Sequence, residues 1–358
     1  MKILFLVPYP LGEAPSQRFR FEQYFKILSN RGISCSTQSF LNSQNWQNMY
    51  RNGNLFKKIS AVISGFLRRF YVLLEVPGYD FVFIHREAAP IGPPLIEWLI
   101  GKVMRKKIIY DFDDAIWASD NGKEGTLEKI IRWRRKVKNI CKWSYKVSCG
   151  NEYLCHYARQ FNSNVILNPT TIDTQHLHNP VLHKKEENLQ KLVIGWTGSH
   201  STLKYLNSIV PVIQSLEKKY PHLRFLVIAN KKPELDICSL WFKPWSVASE
   251  MEDLTEIDIG IMPLPDDEWS KGKCGFKLLQ YMALNIPAIA APVGVNTKII
   301  KQGENGFLCS SVEEWTSSIE HLIHHHELRL TMGQAGRSSV EKNYSVSSNS
   351  ENFVSLFI

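Results

Sequence analysis

The chain has 358 residues, 44% hydrophobic and 22% charged, which suits a soluble globular protein of two domains of about 150–200 residues better than a single core. No run approaches the roughly 18–20 apolar residues of a membrane span, and the apolar stretch in MKILFLVPYPLG is too short for a signal segment. Seven scattered cysteines without a C-x-x-C pair argue against a disulfide framework and a structural zinc site, so a reduced cytoplasmic protein is expected. The net charge of +9 is uneven: residues 1–180 hold 25 basic and 14 acidic side chains, residues 181–358 hold 18 and 20. A basic first half suits nucleic acid or an anionic membrane surface.

In chain order, KILFLVP predicts a buried strand and SQRFRFEQYFKILSNRG a helix ending at glycine. GISCSTQSF predicts a second strand, and LFKKISAVISGFLRRFYVLLE a long basic helix with an apolar face. YDFVFIHRE is a strand, PPLIEWLIGKVMRKK a helix, KIIYDFDD a strand and GTLEKIIRWRRKVKNICKW a helix. KVSCGN, VILNPTTID and the loop PVLHKKEENLQ close this half. The second half restarts with the strand KLVIGWTGS and the helix STLKYLNSIVPVIQSLEKKYP. LRFLVIAN, DIGIMPL, IPAIAAP and GFLCS follow as strands, with the helix FKLLQYMAL between the second and third of them. EEWTSSIEHLIHHHELRLTMGQAGRSSVEKNYS is read as helical to the tail. Short apolar strands alternating with helices predict two doubly wound α/β domains in tandem, with the linker near 170–190. In such sheets ligands sit at the carboxyl ends of the strands.

The unusual residues fall at those ends. IGWTGS places Gly195, Thr197, Gly198 and Ser199 where a backbone can approach a phosphate, although a helix cap would use the same residues. KGKCGFKLLQ crowds Lys271, Lys273 and Lys277 at a helix start beside Gly275, against the helix dipole. If that helix reached back to 273, Lys273 and Lys277 would share a face and suit a diphosphate. YDFDDAIW sets Asp111, Asp113 and Asp114 after a strand, where carboxylates can act as a base, hold hydroxyls, bind a metal or cap a helix; no further ligand lies near enough in sequence to favour the metal. His85 and Arg86 follow another strand, and Arg18 and Arg20 open the first helix, so each is a candidate cleft residue or an ordinary edge residue. The two basic, aromatic helices of the first half can be read as lying on an anionic bilayer or as ordinary amphipathic surface helices. No aromatic stacking pattern or signature of a nucleic-acid module accompanies the charge, so a nucleic-acid partner is not expected.

These motifs resemble, in the same order from near residue 1 to about 345, a bacterial glycosyltransferase of the family 4, GT-B type: YDFDDAIW, IGWTGSHSTLKYL, DIGIMPL, KCGFKLLQYMALNIPAIAAPVGVN, NGFLCSSVEEW and the late YS. The resemblance implies two Rossmann-like domains facing across a cleft, residues 1–175 for the acceptor and 190–343 for the nucleotide-sugar donor, with the tail 344–358 packed back on the first. It implies a donor diphosphate held by Lys273, Lys277 and the amides near Gly275, helped by Gly195, Thr197, Gly198 and Ser199. Gln280 stands where the wider family has a glutamate that often contacts the ribose, and Gly272 where it has the first of that pair. Asp113, Asp114 and His85 become the candidates for catalysis, and Arg18, Arg20, Arg86 and Asp111 for the acceptor or the cleft. The implied reaction is sugar transfer with retention to a glycan or lipid-diphosphate-linked acceptor in cell-surface polysaccharide synthesis. Neither metal nor cofactor is expected, since the nucleotide-sugar is a substrate. The basic first domain would lie on the inner membrane face. A sugar-nucleotide epimerase on the same fold, or a non-catalytic homologue, are the alternatives.

Overall fold

The computed structural model describes residues 1–50, 55–119, 131–183 and 191–358. The chain forms two six-stranded sheets, each parallel throughout. The first holds β1 (Lys2–Val7), β2 (Ser34–Ser39), β3 (Phe81–His85), β4 (Lys107–Phe112), β5 (Lys146–Cys149) and β6 (Val165–Leu167), in the order β2-β1-β3-β4-β5-β6. The second holds β7 (Leu192–Gly198), β8 (Leu223–Ala229), β9 (Leu240–Pro244), β10 (Ile259–Met262), β11 (Ala288–Ala290) and β12 (Gly306–Leu308), in the order β12-β11-β10-β7-β8-β9. The inner strands read as unbroken apolar runs because helices cover both faces. Strand order reverses between β1 and β3 in one sheet and between β7 and β10 in the other, which are the crevices where such sheets take ligands.

By compactness the chain divides into two units. The first comprises Met1–Thr170, Gly272–Cys274 and Asn349–Ile358, and the second Thr171–Lys271 and Gly275–Ser348. In the first unit Phe5, Phe21, Phe25, Phe83 and Phe357 interlock on one face of the sheet, with Phe353 stacked on Tyr24 at 4.2 Å. Lys146 Nζ donates to the Ser355 carbonyl at 2.7 Å. Right-handed crossovers put the helices that follow β2, β3, β4 and β5 on the opposite face. The second unit is built around the buried Trp196, with Leu206, Ile213, Phe225, Ile259 and Trp315.

Several predicted helices are broken. The helix expected over SQRFRFEQYFKILSNRG is a short turn at Pro15–Arg18, a 3-10 turn at Glu22–Tyr24 and a helix at Phe25–Asn30. The one expected over STLKYLNSIVPVIQSLEKKYP is a 3-10 stretch, His200–Ser208, and then a helix, Val210–Lys219, with Pro211 in the first turn, where its missing N–H costs nothing. PPLIEWLIGKVMRKK passes from α-helix at Leu95–Trp98 to a π-turn at Leu99–Val103. The start of GTLEKIIRWRRKVKNICKW and most of the loop PVLHKKEENLQ lie outside the described residues; from the former, the helix Lys136–Trp143 follows a left-handed Trp133. The final helical stretch is three helices, Val312–His324, His326–Asn343 and Val346–Val354. Strand β9 and the helices Glu152–Arg159 and Glu250–Thr255 were not anticipated. No helix among the described residues is long and apolar enough to cross a membrane.

Candidate active site

In the first unit, β1, β3 and β4 deliver Tyr9, His85-Arg86 and Asp111-Phe112-Asp113-Asp114 to their carboxyl ends. The register pairs His85 with Asp111 across the ladder. Both are fully buried, and His85 Nδ1 lies 2.8 Å from Asp111 Oδ2. Arg20 forms a buried ion pair with the same carboxylate and donates to the Asn168 carbonyl, while Ser148 Oγ donates to Asp111 Oδ1 at 2.6 Å. Burial pushes the Asp111 carboxyl up, but Arg20 and His85 outweigh it and hold the group well below the usual carboxylate range. Arg20 shows the counterpart: burial pulls it down and Asp111 more than restores it.

The structure places three of the expected site residues in the interior. Arg20, Asp111 and His85 were candidates for contacting ligand, yet they form an interior network beneath the strand ends. Asp111 lies within β4, which is buried from Ile108 to Phe112, so its carboxylate is enclosed. The imidazole Nε2 of His85 is buried too and has no hydrogen-bond partner among the described residues.

The half-exposed layer above is a second ionic cluster. Arg86 adopts a left-handed backbone, φ 59°, unusual for a residue with a side chain, and its N–H donates to the Asp111 carbonyl at 2.7 Å. That turn aims the guanidinium at β4: Nε reaches Asp113 Oδ1 at 2.9 Å, and Nη2 reaches Asp114 Oδ2 at 2.6 Å. Lys273 Nζ meets the other Asp114 oxygen at 2.9 Å. Burial lowers the Arg86 guanidinium's readiness to hold its proton, but Asp113 and Asp114 carry the balance upward. Tyr9 shares the cluster; burial pushes its hydroxyl up, and Arg86 opposes this. The three carboxylates of YDFDDAIW therefore do not converge: Asp111 belongs to the lower network and Asp113 and Asp114 to the upper. Arg18 is half-buried against the ring of Phe19, 5.0 Å from its centroid.

Lys273 reaches this place because Gly272–Cys274 belongs to the first unit. Asn151 Nδ2 donates to the carbonyls of Gly272 and Lys273 at 3.1 and 3.0 Å, and Cys274 Sγ donates to the Asp113 carbonyl at 3.1 Å. A Cβ at Gly272 would collide with the Ala115 backbone, so only glycine fits. The expectation that Lys273 and Lys277 share a helical face is corrected. The helix is Phe276–Ala283, capped at its start by left-handed Gly275, φ 69°, which breaks the run between the two lysines.

In the second unit, β7 and that helix converge at the strand-order reversal. The Thr197 N–H donates to Tyr281 Oη at 3.0 Å, and Tyr281 lies against Gly260 of β10, where a side chain would overlap its ring. Gly195 and Gly198 likewise leave room for Ile257 and for the Trp196 ring. Lys277 Nζ lies 5.3 Å from the Trp196 ring centroid, which brings the lysine to the strand β7. Ser199 caps the following 3-10 stretch through its carbonyl, which accepts from Thr202, and its hydroxyl lies 2.9 Å from that of Ser201. Gly275 brings no side-chain cap to the start of the helix, the end that carries the positive pole of its dipole. Gln280 is buried, with Nε2 3.3 Å from His178 Nε2 and 3.4 Å from Glu250 Oε1. Tyr9, Tyr281 and Glu250 were missed in the sequence; the Pro-Tyr-Pro at the end of β1 was the available signal for the first.

Residues 191–325 match the family model described as glycosyl transferases group 1. No curated protein matches the chain by sequence. Among solved structures it is similar to a sucrose-phosphate synthase from Thermosynechococcus elongatus, at 12% identity and TM-score 0.69, covering 100% of this chain and 98% of that one. It is also similar to HepE of Anabaena solved with UDP and glucose, at 14% identity, TM-score 0.65 and coverage of 99% and 98%. A glycosyltransferase from Rickettsia africae gives 12% identity, TM-score 0.66 and coverage of 99% and 97%. Residues 191–325 thus carry the match to the group 1 glycosyl transferases, and the whole chain has both sheets arranged as in the GT-B fold of these structures.

Proposed function

We propose that this protein moves a sugar from a nucleoside-diphosphate sugar to a glycan or lipid-linked glycan acceptor of cell-surface polysaccharide synthesis, with retention of configuration. The observation that carries the reading is the meeting, at one strand-order reversal, of the Thr197–Ser199 turn, the uncapped helix start at Gly275 and Lys277. A helix start and a cation suit a departing diphosphate, because negative charge grows there as the glycosidic bond to the donor breaks. In this reading Lys277 and the helix start face the diphosphate, and Lys273 stays paired with Asp114. Asp113 and Asp114, oriented by Arg86, hold acceptor hydroxyls, and the leaving phosphate takes the acceptor proton. Nothing more is asked of the protein than position and charge. The acceptor class and the basic first half suggest work at the cytoplasmic face of an anionic membrane.

UDP is the first donor fragment to test, since HepE, which shares the fold, was solved with it. At about a hundred times its Kd, a nucleotide that binds only the native state adds roughly 2.7 kcal/mol. A selective rise in melting temperature with one of UDP, GDP, CDP or ADP is therefore expected, with and without chelator. Lys277→Ala should weaken that nucleotide about tenfold by removing a charge-assisted contact. A response to none of the four would overturn the donor assignment.

A further inference from the structure

The helix Leu55–Val72 is built inside out. Its inward positions are Ala61, Gly65, Arg69 and Val72, all buried, and a Cβ at Gly65 would strike the ring of Phe40. Val62 and Phe66 are half-buried against the cluster around Phe40, but the other bulky side chains point away. Phe56, Ile59, Ile63, Leu67 and Phe70, with Leu74 just beyond, are all exposed, Phe56 by 85% and Leu67 by 65%. Their spacing of three and four residues makes one continuous apolar stripe along the helix. A surface helix of a globular domain normally shows the reverse, with large apolar residues inward.

Charge selects the occupant. From Leu55 to Leu74 the chain has Lys57, Lys58, Arg68 and Arg69 and no acidic residue. Arg69 is turned inward, where its guanidinium donates to the carbonyls of Ala88, Gln38 and Val7 at 2.6–2.8 Å. Of the other three, Lys57 is exposed and Lys58 and Arg68 are half-buried, all set to the side of the stripe. The neighbouring crossovers, on the same face of the sheet, repeat the combination with exposed Trp98 near Lys102 and exposed Trp133 near Arg135. A second copy would bring like charge against like, whereas an anionic bilayer offers opposite charge and an acyl region together.

We propose that this helix lies in the plane of an anionic bilayer with the stripe from Phe56 to Leu74 immersed below the headgroups. This deepens the reading of a membrane-located acceptor and rests on it for its purpose. It adds that binding is hydrophobic as well as electrostatic, so part of it survives salt. The test is co-flotation of the full chain with phosphatidylglycerol–phosphatidylcholine vesicles, at low salt and at about 0.5 M salt. The comparison is with Ile63→Ser/Leu67→Ser/Phe70→Ser, whose sites are exposed and whose melting temperature should match the wild type. The expected result is wild-type binding that persists in part at high salt. The triple variant should bind at least about tenfold more weakly and lose the remainder to salt. Equal binding by the variant, wild-type binding wholly abolished by salt, or no wild-type binding would each overturn the proposal. So would a concentration-dependent dimer that the triple variant dissolves, which would assign the stripe to a second copy. Nucleotide-induced stabilisation of the same two proteins reports separately on the transferase reading.

Discussion

Replacing Arg20 by Met is expected to destabilise the first unit by about 3–5 kcal/mol, because it strands the Asp111 carboxylate in a fully buried site. The loss should depend on pH in a defined direction. In the wild type Asp111 is held below the ordinary carboxylate range, so its stabilisation is complete above the unfolded value of about 3.9 and is lost as pH falls through the lower native value. In the variant, burial acts on Asp111 without its strongest opponent, and protonation then relieves the folded state. The gap between the two proteins is therefore widest at neutral pH; it narrows as pH falls, first as the variant's carboxyl protonates and then, below about pH 4, as the wild type loses its ion pair. Urea denaturation at a series of pH values measures it. A gap under about 1 kcal/mol at pH 7 would mean that His85 and Ser148 alone satisfy the carboxylate.

Asp113→Asn is expected to lower sugar transfer by roughly a hundredfold while leaving nucleotide-induced stabilisation unchanged. Asparagine keeps the size and one acceptor oxygen but removes the charge that holds Arg86 Nε. The guanidinium then has Asp114 alone, and Asp114 is shared with Lys273. A shifted Arg86 misplaces the group that orients both carboxylates, and a displacement on the order of 1 Å is enough for a loss of that size. Single-turnover rates with saturating donor would measure it, separating chemistry from donor binding. Unchanged turnover would remove Asp113 from any part in the reaction.

The strands were readable because buried parallel strands are continuous apolar runs, and KIIYDF, LRFLVIA and IGIM have no other economical reading. β9 was not, because LWFKP is a half-buried edge strand ending in Lys and Pro, without that run. Helix breaks were missed where a left-handed residue or a 3-10 turn interrupts an amphipathic pattern whose period barely changes. At the site, the motifs themselves stood out, but their layering did not. Arg20 and Asp111 are separated by ninety-one positions, and Asp111 is enclosed because it lies inside the buried strand, while Asp113 stands just beyond its end. Lys273 and Lys277 looked like one cluster because four residues is a helical repeat. Gly275 in the left-handed region ends that repeat between them, and glycine alone in a sequence does not announce which conformation it takes.

The first unit is not one stretch of chain. Its sheet is complete by Leu167, yet Gly272–Cys274 and Asn349–Ile358 belong to it, and the latter carry the Phe353 and Phe357 rings that cover Tyr24, Phe5 and Phe83. During synthesis, the six strands would emerge and pair long before those rings exist. Until then an aromatic face stands open to water, the condition in which nascent chains associate with each other or recruit chaperones. Folding of the first half thus waits on translation of the last helix. For the same reason, a recombinant fragment cut in the 170–190 region should expose that face and be prone to aggregate.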